Sequence, residues 1–372
     1  MAEHKKLEKS ISDLEKLAES TPLSVEEAKQ LEQVTEVHPM RVNPYYLSLI
    51  DWDDPNDPIR KMAVPSVEEL NLEGVYDTSG EAENTKMPGL QHKYAETALV
   101  IATNRCAMYC RYCFRKRLVG LPSEEIMKRF DDAVNYIAEH KEINNVLISG
   151  GDPLVLKNGI IDHFLEKLSN IDHLSFVRIG SRIPVTFPER LSDPEILATF
   201  KKYTKPNRRL YIVTHFNHPK EITPQSIQAV NNLLQSGVLI SNQTVLLKGV
   251  NDNPETLSTL MNQLISIGVM PYYVFQCRPV KRTKHHFQMP LSRGIEIVEK
   301  AKVTCNGHSK RFKYIMSHIT GKIEILGTLN NEIYFKYHQA KDRQELGKIF
   351  KRPIHKTAGW LDNTDKDGFP TY

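Results

Sequence analysis

The sequence predicts an α/β protein built on a partial (β/α)6 barrel, with an N-terminal helical segment and a small C-terminal extension. Between residues 98 and 303, short apolar, β-branched runs alternate with helical patterns. Each helical crossover returns the chain in the same direction, so the strands are expected to be parallel. Polar motifs follow each run directly, at the strand ends that carry the active site in barrels of this kind.

The N-terminal region, residues 1–92, is expected to be helical and irregular. Ser24, followed three residues later by Glu27, is a capping-box signal for a helix. Residues 51–66 contain three prolines, and residues 77–89 form a polar connector with glycine and proline. A boundary is therefore expected near residue 92.

Residues 93–303 are assigned to the barrel and residues 304–372 to the extension. The predicted strands are 98–103, 145–150, 175–180, 210–216, 238–247 and 271–277. The predicted helices lie around 122–140, 160–170, 193–203, 225–236, 255–267 and 291–303. In the extension, we expect two or three strands joined at a Gly321-Lys322 turn, a helix over residues 338–350 and an irregular tail.

The composition is that of a globular protein of the cytoplasm. Hydrophobic residues make up 40% of the chain and charged residues 25%. No run of about 18 apolar residues is present, and the charged N-terminus lacks the apolar region of a signal peptide. A net charge of +4 is small for 372 residues and does not support a nucleic-acid partner. We expect neither membrane nor nucleic-acid binding.

Three of the five cysteines, Cys106, Cys110 and Cys113, form a C-x-x-x-C-x-x-C pattern. An odd cysteine count with such crowding does not fit a secreted disulfide framework. A structural zinc site needs four protein ligands, and Cys277 and Cys305 have no suitable companions. Three thiolates suit an iron–sulfur cube that leaves one iron without a protein ligand. A zinc knuckle or accidental clustering is the alternative.

The cysteine pattern, with Tyr112 before its last member, resembles the signature of radical S-adenosylmethionine (SAM) enzymes. This resemblance implies a [4Fe-4S] cluster whose open iron binds SAM, with Tyr112 packed near the adenine. The segment "SGGDP" strengthens it, since glycine allows close backbone approach at a strand end. By resemblance, Gly150, Gly151 and Asp152 bind the methionyl end of SAM.

Longer stretches between about residues 38 and 303, such as "CAMYCRYCFRKR", "VRIGSRIPV" and "THFNHPKEIT", resemble the lysine 2,3-aminomutase family. Its members move the α-amino group of an amino acid to the β-carbon. The resemblance implies pyridoxal 5′-phosphate (PLP) as a second cofactor, an amino-acid substrate, and a reductant such as flavodoxin or ferredoxin. It also implies a homo-oligomer, for which a dimer is our expectation.

Site residues follow from the same resemblance. Lys322 matches the lysine that holds PLP, and Arg115 matches the arginine that pairs with the substrate α-carboxylate. Lys93 and Tyr94 are expected at the PLP phosphate, where Thr97 replaces a second family arginine. Other residues expected to bind SAM or PLP are Ser181, Arg182, His215 and Gln243.

The chain departs from the lysine-specific members at the substrate side chain. Arg278 stands where those members carry an aspartate that holds the ε-ammonium group. Burying an ammonium group against a guanidinium would be strongly unfavourable. The substrate is therefore predicted to be glutamate or another acidic or neutral amino acid. The family's zinc-binding cysteines are also absent, so the oligomer is expected to differ.

Three other functions remain open from the sequence. The first is a radical oxidoreductase or lyase that keeps the cluster and SAM but lacks PLP, which the weakened phosphate site favours. The second is a non-catalytic iron–sulfur module. The third is an aminomutase that modifies a lysine of a translation factor, although such relatives usually lack the long N-terminal segment.

Overall fold

The computed structural model describes residues 10–361, and their strands form one sheet of twelve strands in chain order. The strands are β1 Thr85–Met87, β2 Leu90–Tyr94, β3 Thr97–Thr103, β4 Asn145–Gly150, β5 Phe176–Gly180, β6 Arg209–Thr214, β7 Leu239–Leu246, β8 Met270–Gln276, β9 Lys313–His318, β10 Gly321–Leu329, β11 Glu332–Ala340 and β12 Ile349–Pro353.

The six strands β3 to β8 pair in parallel, and β9 continues the parallel run beside β8. The pairs at both margins, β1–β2–β3 and β9–β10–β11–β12, are antiparallel. The prediction of an α/β fold with six parallel barrel strands is confirmed, because each predicted run coincides with one observed strand to within a few residues.

The described helices lie before the sheet and between its parallel strands. They are α1 Leu14–Ser20, α2 Val25–Gln30, α3 Glu32–Val37, α4 Pro44–Leu47, α5 Pro58–Ala63, α6 Glu81–Asn84, α7 Phe130–Glu139, α8 Asn158–Ser169, α9 Ile183–Thr186, α10 Pro194–Tyr203, α11 Pro224–Gln235, α12 Pro254–Ser266, α13 Lys284–Phe287 and α14 Leu291–Thr304. Short 3₁₀ turns include Val67–Leu70, Pro153–Val155 and Pro219–Glu221. No helix among the described residues is long and apolar enough to cross a membrane.

Local sequence explains where the long crossover helices begin. α10, α11 and α12 each start with proline, whose fixed φ suits the first turn and whose missing N–H is not needed there. Asp193, Thr223 and Asn253 precede these prolines, and each side chain accepts a hydrogen bond from the first turn. The buried faces of these helices pack against the sheet in one apolar core.

Three local predictions are wrong. Lys322 lies inside β10 rather than in a turn, because the β9–β10 hairpin reverses at Ile319 and Thr320. The expected helix over 338–350 is replaced by the end of β11, a short 3₁₀ turn at Arg343–Glu345 and β12. The helix expected from residue 122 begins at Phe130, since the preceding segment follows the cysteine loop.

The expected boundaries near residues 92 and 303 stay predictions. One sheet runs through both positions, since β2 spans Leu90–Tyr94 and β8 pairs with β9. The start of the N-terminal charged segment and the end of the irregular tail lie outside the described residues.

Candidate active site

A cavity of about 340 Å³ opens at the carboxyl ends of the parallel strands. It is lined by every residue that the sequence analysis placed in the site: Lys93, Tyr94, Cys106, Cys110, Tyr112, Cys113, Arg115, Gly150, Gly151, Asp152, Ser181, Arg182, His215, Gln243, Arg278 and Lys322. The parallel topology brings most of them together, because they follow strands that end at the same rim. Lys93, Tyr94 and Lys322 are instead supplied by the antiparallel strands β2 and β10. The cavity has a cysteine end and an end near Lys322.

The glycine pair packs directly against the root of the cysteine loop. Gly150 has φ +120°, and a Cβ there would lie 2.4 Å from the carbonyl oxygen of Thr103. A Cβ on Gly151 would lie 2.4 Å from the carbonyl oxygen of Arg105. Their close approach lets the Gly151 N–H donate to Thr103 O at 2.6 Å. The glycines therefore hold the loop in place through the backbone.

The N-terminal segment holds the cysteine loop from the other side. The buried Arg111 donates to both carboxylate oxygens of Glu69 at 2.7 and 2.8 Å, and Lys116 donates to the same carboxylate at 2.6 Å. Although burial opposes ionisation, Arg111 and Lys116 lower the pKa of Glu69 to about 2. The backbone N–H of Arg111 also bonds the Met62 carbonyl. Both cations thus flank Cys113 as parts of one buried network.

The three cysteines are free thiols in the structure. Burial, and then the neighbouring Cys110, raise the pKa of Cys113 to about 11, and burial also raises the pKa of Cys106. Between residues 10 and 361, no three His, Cys, Asp or Glu side chains converge on a single ion position. A [4Fe-4S] cube does not require the three thiolates to converge on one position, since each thiolate binds its own iron.

Arg182 connects the cysteine loop to the strand ends. Its Nη1 donates to the Cys110 sulfur at 3.0 Å, and its Nη2 bonds the Glu221 carboxylate and the Tyr46 hydroxyl. The backbone N–H of Arg182 donates to Asp152 at 2.7 Å. Burial raises the pKa of Asp152 to about 6. Asp152 therefore orients the segment after β5 in addition to lining the cavity.

Tyr112 and His215 lie side by side near the cysteines, with ring centroids 5.7 Å apart. The Asn217 side-chain amide donates to the Tyr112 hydroxyl at 2.6 Å. Burial, and then Arg182, lower the pKa of His215 to about 3, so its imidazole is neutral. The His215 Nε2 is buried without a hydrogen-bond partner among the described residues. It is therefore available to a polar ligand in the cavity.

Comparison with known proteins agrees with this geometry. The model of the Radical SAM superfamily matches residues 100–260. The L-lysine 2,3-aminomutase of Clostridium subterminale is 41% identical over 78% of this chain and 69% of its own length. The chain belongs to the lysine 2,3-aminomutase family of radical SAM enzymes. The expected family, enzyme class and cofactors are thereby confirmed at the level of the family.

Two further relatives show the breadth of the lysine 2,3-aminomutase family. A protein of Aquifex aeolicus, provisionally assigned as an L-lysine 2,3-aminomutase, is 45% identical over 91% of both chains. The glutamate 2,3-aminomutase of Clostridioides difficile is 38% identical over 79% of this chain and 68% of its own length. Family membership alone therefore does not identify the substrate.

The residues at the cysteine end fit the cofactors of the radical SAM family. The three thiols and the open cavity beside them suit a cube with one exposed iron. The unpartnered His215 Nε2 and the glycine-rich strand end provide polar groups for SAM. The expected roles of individual residues stay predictions.

At the other end, Lys322 has the environment that a PLP-binding lysine of this family needs. Its amine lies 5.6 Å from the ring centroid of Tyr94 and 5.2 Å from that of Tyr273. Burial, followed by Arg178 and Arg278, lowers its pKa to about 7. A large share of neutral amine is therefore present near neutral pH, which is the form that attacks a carbonyl.

Lys93 and Arg115 are already engaged by protein groups. Lys93 Nζ donates to the carbonyls of Ser79 and His318 at 3.0 and 2.8 Å. Arg115 donates from Nε and Nη2 to Glu81 at 3.2 and 2.9 Å. The fork that we expected to clamp a substrate carboxylate therefore faces a protein carboxylate in this structure.

The sequence analysis missed several residues in the cavity. Glu81 lies in a polar connector where nothing marks a carboxylate as buried. Ser79 and Ser317, which bind Arg278, also have no distinctive pattern. Arg178 had a signal that we did not use, because it is a lone cation within the otherwise apolar strand "FVRIG".

Proposed function

We propose that the chain is a PLP-dependent 2,3-aminomutase whose substrate is an acidic amino acid, with glutamate the first candidate. The observation that carries the substrate assignment is the partly buried Arg278, which lines the cavity. Its guanidinium donates to Ser79 Oγ at 2.8 Å and Ser317 Oγ at 3.0 Å, and it forms no ion pair with a described carboxylate. The nearby Glu81 is engaged by Arg115 and Arg117.

An anionic substrate group would complete this site. Burial lowers the pKa of Arg278 to about 10, which still leaves the group charged at neutral pH. A buried charge without a counter-ion is strongly unfavourable, and a second carboxylate on the substrate removes that cost. A substrate ammonium group in the same place would add a repulsion. This supports glutamate and argues against lysine.

Arg115 and Arg278 lie against the same ring, which places two guanidinium groups near each other. Their central carbons are 4.7 and 4.2 Å from the Phe114 ring centroid. Two such forks suit the two carboxylates of glutamate, one at the α-carbon and one on the side chain. For Arg115 to bind the α-carboxylate, Glu81 must share or release it.

The chain's residues hold the reactants in place and supply charge. When bound, the cluster and SAM supply the radical that removes a hydrogen atom from the β-carbon, and PLP supplies the group through which nitrogen migrates. Lys322 would hold PLP between turnovers, because its amine is largely neutral near pH 7 and can react with the PLP aldehyde. The rings of Tyr94 and Tyr273 exclude water around it. Arg278 orients the substrate side chain.

The protein environment is part of the same proposal. A cluster with three thiolate ligands requires a reducing compartment, which supports a cytoplasmic location. Flavodoxin or ferredoxin is the proposed electron donor, since SAM cleavage consumes one electron. A homo-oligomer, with a dimer as the first candidate, is proposed from the family resemblance.

Anaerobic reconstitution with iron, sulfide, SAM, PLP and reductant tests the function. We expect a β-amino acid from glutamate and none from lysine, with mass spectrometry of a panel of amino acids as the readout. Arg278→Asp is expected to abolish turnover of glutamate, whereas Arg278→Lys should retain part of it. Turnover of lysine alone by the wild-type protein would contradict the substrate assignment.

A further inference from the structure

The Lys322 end of the cavity lacks an obvious partner for a phosphate group. Lys93 donates to two carbonyls, and Thr97 donates its hydroxyl to Asn145 Oδ1 at 3.3 Å. A phosphate dianion needs a cation or several N–H donors facing it. The expected contact from Lys93 is therefore weak as it stands, and Thr97 offers no cation in place of the family arginine.

Arg178 in β5 faces the same end of the cavity. Alternation along the strand places Arg178 and Gly180 on the cavity side, and Arg178 pairs in register with Leu147 of β4, which also lines the cavity. Asn145, two residues before Leu147 on β4, accepts hydrogen bonds from both Thr97 and Arg178. The Asn145 side chain therefore lies between Arg178 and Thr97, the residue that stands where the family has an arginine.

The guanidinium of Arg178 has donor capacity left. Its Nη2 bonds Asn145, and its Nε is buried without a hydrogen-bond partner among the described residues. Its central carbon lies 5.7 Å from the Phe176 ring centroid. Arg178 forms no ion pair with a described carboxylate. A partly buried guanidinium with a free donor and no carboxylate partner suits an anion with several oxygens.

The other charges around this end are compatible with an anion. Lys322, Lys93 and Arg278 add positive charge, and Arg178 lowers the pKa of Lys322 more than Arg278 or Lys93 does. Glu96 opposes these cations at Lys322, and it accepts a hydrogen bond from the Gln339 amide at 2.9 Å. The four cations named here therefore outweigh the negative charge of Glu96, which favours an anion at this end of the cavity.

We propose that Arg178 binds the phosphate of PLP and takes the role of the family arginine whose position is occupied by Thr97 in this chain. The inference rests on the proposed use of PLP by this chain. It explains how a weakened β3 phosphate site is compatible with PLP binding, because the guanidinium is supplied by β5 instead. Asn145 then acts as the side chain that orients Arg178.

The test compares PLP with pyridoxal, which has the same aldehyde but no phosphate. Binding to Lys322 is followed by the absorbance band that develops when a lysine amine captures the aldehyde. For Arg178→Gln we expect the ratio of the PLP dissociation constant to the pyridoxal dissociation constant to rise roughly 10- to 100-fold. The loss of the effect of Arg178 on the Lys322 amine acts on both aldehydes and cancels in this ratio. For Arg178→Lys, the ratio should lie between those of the wild-type protein and Arg178→Gln. Inorganic phosphate should compete with PLP in the wild-type protein.

Arg208→Gln is the matched control, because Arg208 bonds the carbonyls of Ser169 and Asp172 outside the cavity. Thermal unfolding checks that each variant is folded, and Arg178→Lys carries the test if Arg178→Gln is not. An unchanged ratio of PLP to pyridoxal affinity in either folded variant would overturn the role of Arg178. A wild-type protein that captures neither aldehyde would instead overturn the proposed use of PLP, and the inference with it.

Discussion

Arg182 and Cys110 are joined by a hydrogen bond of 3.0 Å from the guanidinium Nη1 to the sulfur. The same guanidinium pairs with the buried Glu221. The contact links the cysteine loop to the carboxyl end of β5, so one side chain both orients a cysteine and carries positive charge to its sulfur. Hydrogen bonds and charge at cluster sulfurs are among the features that set reduction potentials.

Arg182→Lys is expected to shift the cluster potential to a more negative value, because a donor to the Cys110 sulfur is lost or weakened. Glu221→Gln is the control, since it removes the ion pair but leaves the donor in place. Both variants should be less stable, but only Arg182→Lys should change the potential measured by spectroelectrochemistry. Equal potentials in the two variants would contradict the role of this bond.

Gly151→Ala is expected to prevent cluster assembly. The added Cβ would lie 2.4 Å from the Arg105 carbonyl oxygen, so the root of the cysteine loop must move. Gly159→Ala is the matched control, because no atom lies within 4 Å of a Cβ at that position in α8. Iron and sulfide content after anaerobic reconstitution should fall in the first variant and remain normal in the second. Normal content in Gly151→Ala would show that the loop tolerates the displacement.

Glu81→Gln is expected to lower the free energy of unfolding by about 3 kcal/mol, since the buried Arg115 loses its counter-ion and the partly buried Arg117 keeps only Glu125. Although burial opposes ionisation, Arg115 and Arg117 lower the pKa of Glu81 to about 2. Glu83→Gln, which removes an exposed pair with Lys341, should cost less than about 1 kcal/mol. Chemical denaturation measures both. Similar losses would mean that burial of the Glu81 network contributes little.

Capture of PLP by Lys322 should rise with pH through about 7. Burial, then Arg178 and Arg278, lower the pKa of this amine to about 7, and Glu96 opposes them. The lysine is protonated and unreactive below this pH and neutral above it, whereas an exposed lysine becomes neutral only near its ordinary value of about 10.4. The initial rate of PLP capture between pH 5 and 9 gives the midpoint. A midpoint above pH 9 would contradict the buried environment of the amine.

Lys322→Ala should abolish the PLP band at every pH. Lys313→Ala is the matched control, because Lys313 lies on the neighbouring strand and pairs with Glu324. Retention of the band in Lys322→Ala would assign PLP to a different lysine. Loss in both variants would point to a change in the β9–β10 hairpin instead.

The barrel was predictable because its signals are local. A β-branched run of five to eight residues and an amphipathic helical pattern can each be recognised within a short window of sequence. The extension was less predictable, since residues 338–350 include helix-forming residues but form the end of β11, a short 3₁₀ turn and the start of β12. The end of β11 pairs with β10, and β12 pairs with β11. Tertiary hydrogen bonding there overrode local preference, as it commonly does for strands.

The sequence by itself determined the parallel order of the barrel strands, the cysteine spacing for a cube and the set of polar residues at the strand ends. Only the tertiary structure decided what those polar groups contact. It engaged Arg115 with Glu81, tied Lys93 to two carbonyls, and left Arg178 and Arg278 without carboxylate partners among the described residues. The physical reason is that periodicity depends on neighbours along the chain, whereas charge pairing in a buried cavity depends on residues that are far apart in sequence.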